Sequence, residues 1–150
     1  MTTADNGDWL LDADLRPDTR GSLSPLYEAC AEGRLCMPFC EDCARPLELE
    51  QFVCDACSGQ VRWCGVPLVG VVHAATTVHR REPGLVLADV PYQVLDVELQ
   101  SGHRLTMTTT AVRADPLAIG EPVTIGFRTI GSVAVPAVAV PSPPEQEVTR

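Results

Sequence analysis

The stretch CEDCARPLELEQFVCDAC, residues 40–57, sets two C-x-x-C pairs ten residues apart, Cys40 with Cys43 and Cys54 with Cys57. A two-residue gap lets both thiolates of one tight turn reach the same ion, and two such turns complete a tetrahedral set of four. The spacer from Ala44 to Val53 is long enough for a strand, a turn and a strand back, which would lay the second pair beside the first. The spacing therefore predicts a ribbon closed on one metal ion. The bland alternative is a pair of disulfides, or four thiols with no metal. Four protein ligands leave an ion no open position for water or substrate, so zinc, the expected ion, would hold the fold and do no chemistry. Iron in a rubredoxin-like centre would use the same four ligands.

The other three cysteines sharpen this reading. An odd total of seven, paired knuckle spacings and an N-terminus without a basic segment ahead of an apolar one argue for metal in a reducing compartment, and the cytoplasm is expected. Cys36-x3-Cys40-x2-Cys43 also matches the cluster motif of radical S-adenosylmethionine enzymes. Those enzymes need a barrel much longer than this chain and have no use for the second pair. Cys36 is instead read as an apolar side chain, as are Cys30 and Cys64.

At 150 residues the chain has room for a metal-nucleated module and a compact core of about 80 residues, but not for a large barrel or doubly wound enzyme. The formal charge is −9, and it is unevenly spread. Residues 1–20 hold five acids against two arginines, residues 21–60 seven against two, and residues 61–140 six against six. A nucleic-acid reader concentrates cations on one face, because phosphate neutralisation supplies most of its affinity, and this distribution disfavours that class. All eleven basic residues are arginine, which removes Schiff-base and Walker-lysine chemistry. No apolar run approaches the roughly 20 residues of a membrane span.

Around the ribbon the chain divides into four. Residues 1–22 form an acidic leader with no sustained period, to which no fold is assigned. Residues 23–60 hold a short helix and the ribbon: Ser24-Pro25 opens the helix, Leu26, Ala29 and Cys30 give its apolar face, and Gly33 stops it. Residues 61–140 are strand-like. Leu68 to Val78 is rich in Val and Thr; Leu95, Val97 and Leu99 alternate with acids; Leu105, Met107, Thr109 and Ala111 alternate with threonines; and Val123, Ile125 and Phe127 precede a last run from Val133 to Val140. Turns fall at Ser101-Gly102 and Ala114-Asp115-Pro116. Residues 141–150 are Pro-rich and polar, a flexible tail. The expected class is mainly β: a short N-terminal helix, a rubredoxin-like zinc ribbon, then a five-stranded OB-fold barrel. Because the two cores are separate in sequence, loss of the metal is expected to leave much of the barrel standing.

His73, His79 and His103 are scattered on or beside strands, with no carboxylate or thiol at the spacing of a catalytic pair, and are read as surface or strand-end residues. His79-Arg80-Arg81 is the one basic cluster. Placed where a strand runs into a loop, it could meet an anionic group such as a phosphate of coenzyme A or a partner, or be no more than a solvated loop.

The order of these features resembles the family first described as domain of unknown function 35, which pairs a rubredoxin-like zinc ribbon with a nucleic-acid-type barrel. The matching stretches are Glu32-Gly33-Arg34-Leu35 before the first knuckle, Gly70 through Thr76-Thr77-Val78-His79-Arg80, Val90-Pro91-Tyr92, Val97-Glu98-Leu99 with Ser101-Gly102, and Ile119-Gly120-Glu121-Pro122-Val123. The likeness runs from about Ser24 to about Ile130. It implies a non-catalytic accessory subunit in a hetero-oligomer with a thiolase-fold enzyme (a thiolase, steroid side-chain aldolase or acyltransferase) that carries the catalytic residues. Some such subunits help hold or pass the acyl-CoA. The chain departs from the family in its helix, where Leu26-Tyr27 stands for an aromatic pair, and in its Val-Ala-Val-Pro C-terminal run, which replaces an aromatic segment. Two other classes are weighed beside it: a nucleic-acid-binding ribbon and barrel, disfavoured by charge and by few aromatics for base stacking, and a rubredoxin-like electron carrier, which an absorption spectrum would reveal.

Overall fold

The structure, a computed structural model, describes residues 7–79 and 82–141. The helix α1 spans Ser24–Ala31 with Pro25 in its first turn, where a missing N–H costs nothing. Leu23 occupies the cap position and Ser24 is already helical, one residue from expectation. Gly33 ends the helix at φ +73°, a conformation open to glycine, so that the Arg34 N–H returns to the Ala29 carbonyl at 2.9 Å and the Gly33 N–H to Cys30 at 3.0 Å.

Two antiparallel strands follow, β1 (Leu35–Cys40) and β2 (Val61–Val66), in register from Leu35 opposite Val66 to Cys40 opposite Val61. The strand-like text at Val61 therefore begins in the ribbon's own sheet and not in the barrel. The spacer 44–53 is not the strand-turn-strand expected of it. Only Pro46 and Val53 make bridges, to Phe39 and Gln60 respectively, so each knuckle is closed by its own short hairpin. Pro46, with no N–H, is poorly suited to a longer ladder.

The barrel is built from β3 (Val69–Val78), β4 (Tyr92–Leu99), β5 (Arg104–Met107), β6 (Pro122–Ile130) and β7 (Val133–Val138), in the order β5-β4-β3-β6-β7 with every named pairing antiparallel. A bulge at His73 lets β3 bend, pairing Gly70–Val78 with β4 and Val69–Val71 with β6. Beyond β5 the chain swings to β7: Thr109 bridges Val138 in parallel, and Val138 N–H donates to Thr108 O while Thr110 N–H donates to Val138 O, both at 2.9 Å. This contact nearly closes the barrel in the expected OB-fold connectivity, with the first strand between the second and fourth and the third meeting the fifth.

One core serves most of the molecule. Val72, Leu95, Val97, Leu105, Met107, Val123, Ile125 and Val138 line the barrel, and the same cluster takes in Leu26 and Cys30 from α1 and Leu35 and Met37 from β1. The helix packs against β1 and β7. The expectation of two separate cores thus holds only for the ribbon tip, where Cys40, Leu47 and Cys54 form a small cluster with Val61. The inward alternation of β1 makes the ribbon's base part of the barrel's wall. His103 reinforces this join: it is buried, its Nε2 lies 2.7 Å from the Pro38 carbonyl of β1, its Nδ1 is 2.7 Å from Ser101 Oγ, and Phe39 stands edge-on at 4.8 Å.

Part of the acidic leader also packs on the barrel. Asp8 and Leu10 are buried, Leu11 bridges Val86, and Leu87 N–H donates to Leu10 O at 2.7 Å. Residues 1–6, and the proposed tail from residue 142, lie outside the described residues. No helix among the described residues is long and apolar enough to cross a membrane.

Candidate metal centre

The two knuckles are near copies. In the first, Ala44 N–H returns to Cys40 O at 3.0 Å, and in the second Ser58 N–H returns to Cys54 O at 2.9 Å. In each, the residue after the second cysteine takes a positive φ, 59° at Ala44 and 62° at Ser58. Non-glycine residues rarely occupy this region, and here both turns need it to aim paired thiols inward. The ligand atoms of Cys40, Cys43, Cys54 and Cys57 all lie within 4.8 Å of one another. Cys40 and Cys57 sulfurs are 3.4 Å apart and Cys43 and Cys54 sulfurs 3.7 Å. A disulfide needs about 2.05 Å, so the paired-disulfide alternative is not what forms. A tetrahedron of thiolates about 2.3 Å from a central ion has sulfurs about 3.8 Å apart, and the cluster matches that size.

The surroundings suit charged sulfur. Cys43 N–H points at Cys40 Sγ at 3.4 Å, and this amide, with that of Asp42, brings the Cys40 thiol down to about 7 against the cost of burial. At Cys57 the Gly59 amide pulls the other way from its neighbours, and the Cys40 and Cys43 thiols beside it hold the group up at about 12. Four thiols this close cannot all ionise without a cation. Gly59 is required by space: a Cβ there would sit 2.6 Å from Cys40 Sγ. Cys40 and Cys54 are buried and Cys43 and Cys57 are exposed, with Arg45 and Asp55 forming a loose surface pair across the two knuckles at 3.9 Å.

The remaining predicted residues fall elsewhere. Cys36 is outside the four-thiol group, so the radical-enzyme motif is a coincidence of spacing. Cys30 is buried on α1, where loss of water pushes its thiol up to about 11, while Cys36 and Cys64 are half-buried on β1 and β2. His79 is exposed just beyond β3. Arg80 and Arg81 lie outside the described residues. His73 sits on the bulge, exposed, 3.7 Å from Glu98.

Sequence reasoning missed the leader's anchors. Trp9 donates its indole N–H to Thr109 O at 2.8 Å, and Asp8 accepts from Leu10 N–H, Leu11 N–H and Arg128 at 3.2, 2.8 and 2.6 Å. The signal was faint but present, a Trp-Leu-Leu run inside an otherwise acidic stretch.

Residues 63–128 match the protein family described as ChsH2, C-terminal OB-fold domain. Among solved structures, a chain of the Ltp2-ChsH2(DUF35) aldolase superposes with TM-score 0.71 at 23% identity, over 83% of this chain and 98% of that one. A DUF35-family protein of unknown function from Sulfolobus solfataricus superposes with TM-score 0.53 at 12% identity, over 79% and 84% of the two chains. Residues 63–128 are thus similar to the ChsH2 OB-fold domain, and the chain as a whole shares the fold of these two DUF35 structures. The matched span opens in β2 and closes in β6, so the four clustered cysteines at 40–57 lie before it and β7 after it. No curated protein matches the chain in sequence.

Proposed function

We propose that this chain is a non-catalytic subunit of a hetero-oligomeric enzyme, docking a thiolase-fold partner that processes an acyl-CoA as a thiolase, aldolase or acyltransferase. In this role it supports the partner's assembly, activity or handling of the acyl-CoA. The observation that carries the reading is the likeness to a chain of the Ltp2-ChsH2(DUF35) aldolase, which covers 83% of this chain and so reaches well beyond the barrel.

The ion at Cys40, Cys43, Cys54 and Cys57 is zinc in this reading, a structural clasp with a closed ligand set. Its site of work is the cytoplasm, in keeping with seven cysteines that are all unpaired thiols. His79, Arg80 and Arg81 would offer cations to a phosphate of coenzyme A or to acids of the partner, and the exposure of His79 at the strand end supports that placement.

The test is a pull-down of the tagged chain from its own cell extract, with the partner identified and its activity assayed with and without this subunit. A thiolase-fold protein that loses most of its activity or solubility alone is the expected result. Full activity of the isolated partner would overturn the reading. Metal analysis and an absorption spectrum of the same preparation are expected to give zinc and no visible band; a coloured iron-thiolate spectrum would replace the clasp with an electron carrier.

A further inference from the structure

A cavity of about 630 Å³ opens where β3 ends and β4 begins, at the opposite end of β4 from His103 and the ribbon. This volume lies within the range of about 300–1,000 Å³ in which proteins hold small molecules. Its walls include Trp9 from the leader, Val90 and Tyr92 at the start of β4, and Val112 and Arg113 from the segment after β5.

The aromatic wall is fixed before any guest arrives. The Trp9 indole is tied to Thr109 O and stands edge-on to Tyr92, with ring centres 6.3 Å apart and planes at 80°. The leader that carries it is held by Asp8, whose carboxylate takes two backbone N–H groups and Arg128.

Most polar atoms in the walls are already satisfied within the chain. The Gln93 side chain donates to Leu117 O at 3.0 Å and accepts from Leu117 N–H at 2.8 Å, and the Thr109 hydroxyl donates to Ala111 O at 2.7 Å. These residues therefore present mainly apolar surface to a guest. Arg113 differs. Its Nε donates to Asp115 O at 2.7 Å, and its two terminal nitrogens have no hydrogen-bond or ion-pair partner among the described residues. No carboxylate among the described residues lines the cavity. A guanidinium with a free fork above an apolar, aromatic floor selects a planar anion on a hydrocarbon body.

We propose that this cavity binds a small amphiphilic monocarboxylate, its hydrocarbon body against Trp9 and Tyr92 and its carboxylate on Arg113. Nothing in this proposal depends on the partner reading. It is tested on the full, metal-loaded chain alone, so failure of either leaves the other standing.

The experiment is titration calorimetry with octanoate, octanol and octylammonium, three probes of one body and different charge. Octanoate is expected to bind about tenfold or more tightly than octanol, the worth of a charge-assisted hydrogen-bonded contact, and octylammonium most weakly. Arg113→Gln should erase the advantage of octanoate and leave octanol unchanged, whereas Trp9→Ala should weaken both alike. Should Trp9→Ala fail to fold, Val112→Ala on the exposed rim serves instead, and is expected to weaken octanoate and octanol alike by a smaller factor. Equal binding of octanoate and octanol by the parent chain, an octanoate preference that survives Arg113→Gln, or no binding of any probe at millimolar concentration would each overturn the proposal.

Discussion

Cys54 is 2% exposed and sits between Cys40 and Leu47 in the small cluster at the ribbon tip. A serine oxygen there is a poor zinc ligand and leaves three thiols to hold the ion. Cys54→Ser is expected to bring bound metal, read by atomic emission, to near background and to lower the melting temperature; unchanged metal content would sink the four-ligand assignment. A second residue-scale test lies at the leader. The Asp8 side chain is 1% exposed and that of Arg128 12%, and Asp8 Oδ1 and Arg128 Nε have no partner among the described residues. Removing one member of such a pair strands the other charge, so Asp8→Ala is expected to cost about 3–5 kcal/mol in urea unfolding. Adding Arg128→Met should recover part of that loss. Strictly additive single effects would show that the pair is not coupled.

At the scale of elements, β1 belongs to two structures at once. Cys40 at its end faces the knuckles, while Leu35 and Met37 point into the core that fills the barrel. Ribbon and barrel are accordingly expected to unfold together. Met37, 1% exposed, provides the check: Met37→Ala should cost about 2–5 kcal/mol through the cavity it leaves, while the metal stays bound. Far-ultraviolet dichroism and metal release, followed through one denaturant series, should then give coincident transitions. Well-separated midpoints would restore the picture of two independent cores.

For the molecule as a whole, metal and protons compete. In the metal-free cluster the Cys43 and Asp42 amides hold Cys40 at about 7, while neighbouring thiols, against the pull of the Gly59 amide, keep Cys57 up at about 12. An ion must displace thiol protons to bind, and each fall in pH makes that displacement harder. Metal should therefore be retained at neutral and alkaline pH and released on acidification, measured with a chromophoric indicator; equal retention from roughly pH 8 to pH 4 would contradict it. The same whole-molecule view separates what was legible in the sequence from what was not. The paired knuckles, the helix between Ser24 and Gly33 and the alternation of β4, β5 and β6 are local patterns, since ligand spacing, helix stops and inward-outward alternation act over a few residues. Their sum pointed to a ribbon and a five-stranded barrel. The tertiary structure alone decided that Trp9 would meet Thr109, a hundred residues on, that Asp8 would pair with Arg128, and that His103 would bond Pro38. These contacts depend on which surfaces the closed barrel brings together, and no short window of sequence records that. The leader's acidity hid the Asp8 anchor because a buried charge and an exposed one are the same letter until a partner is placed beside it.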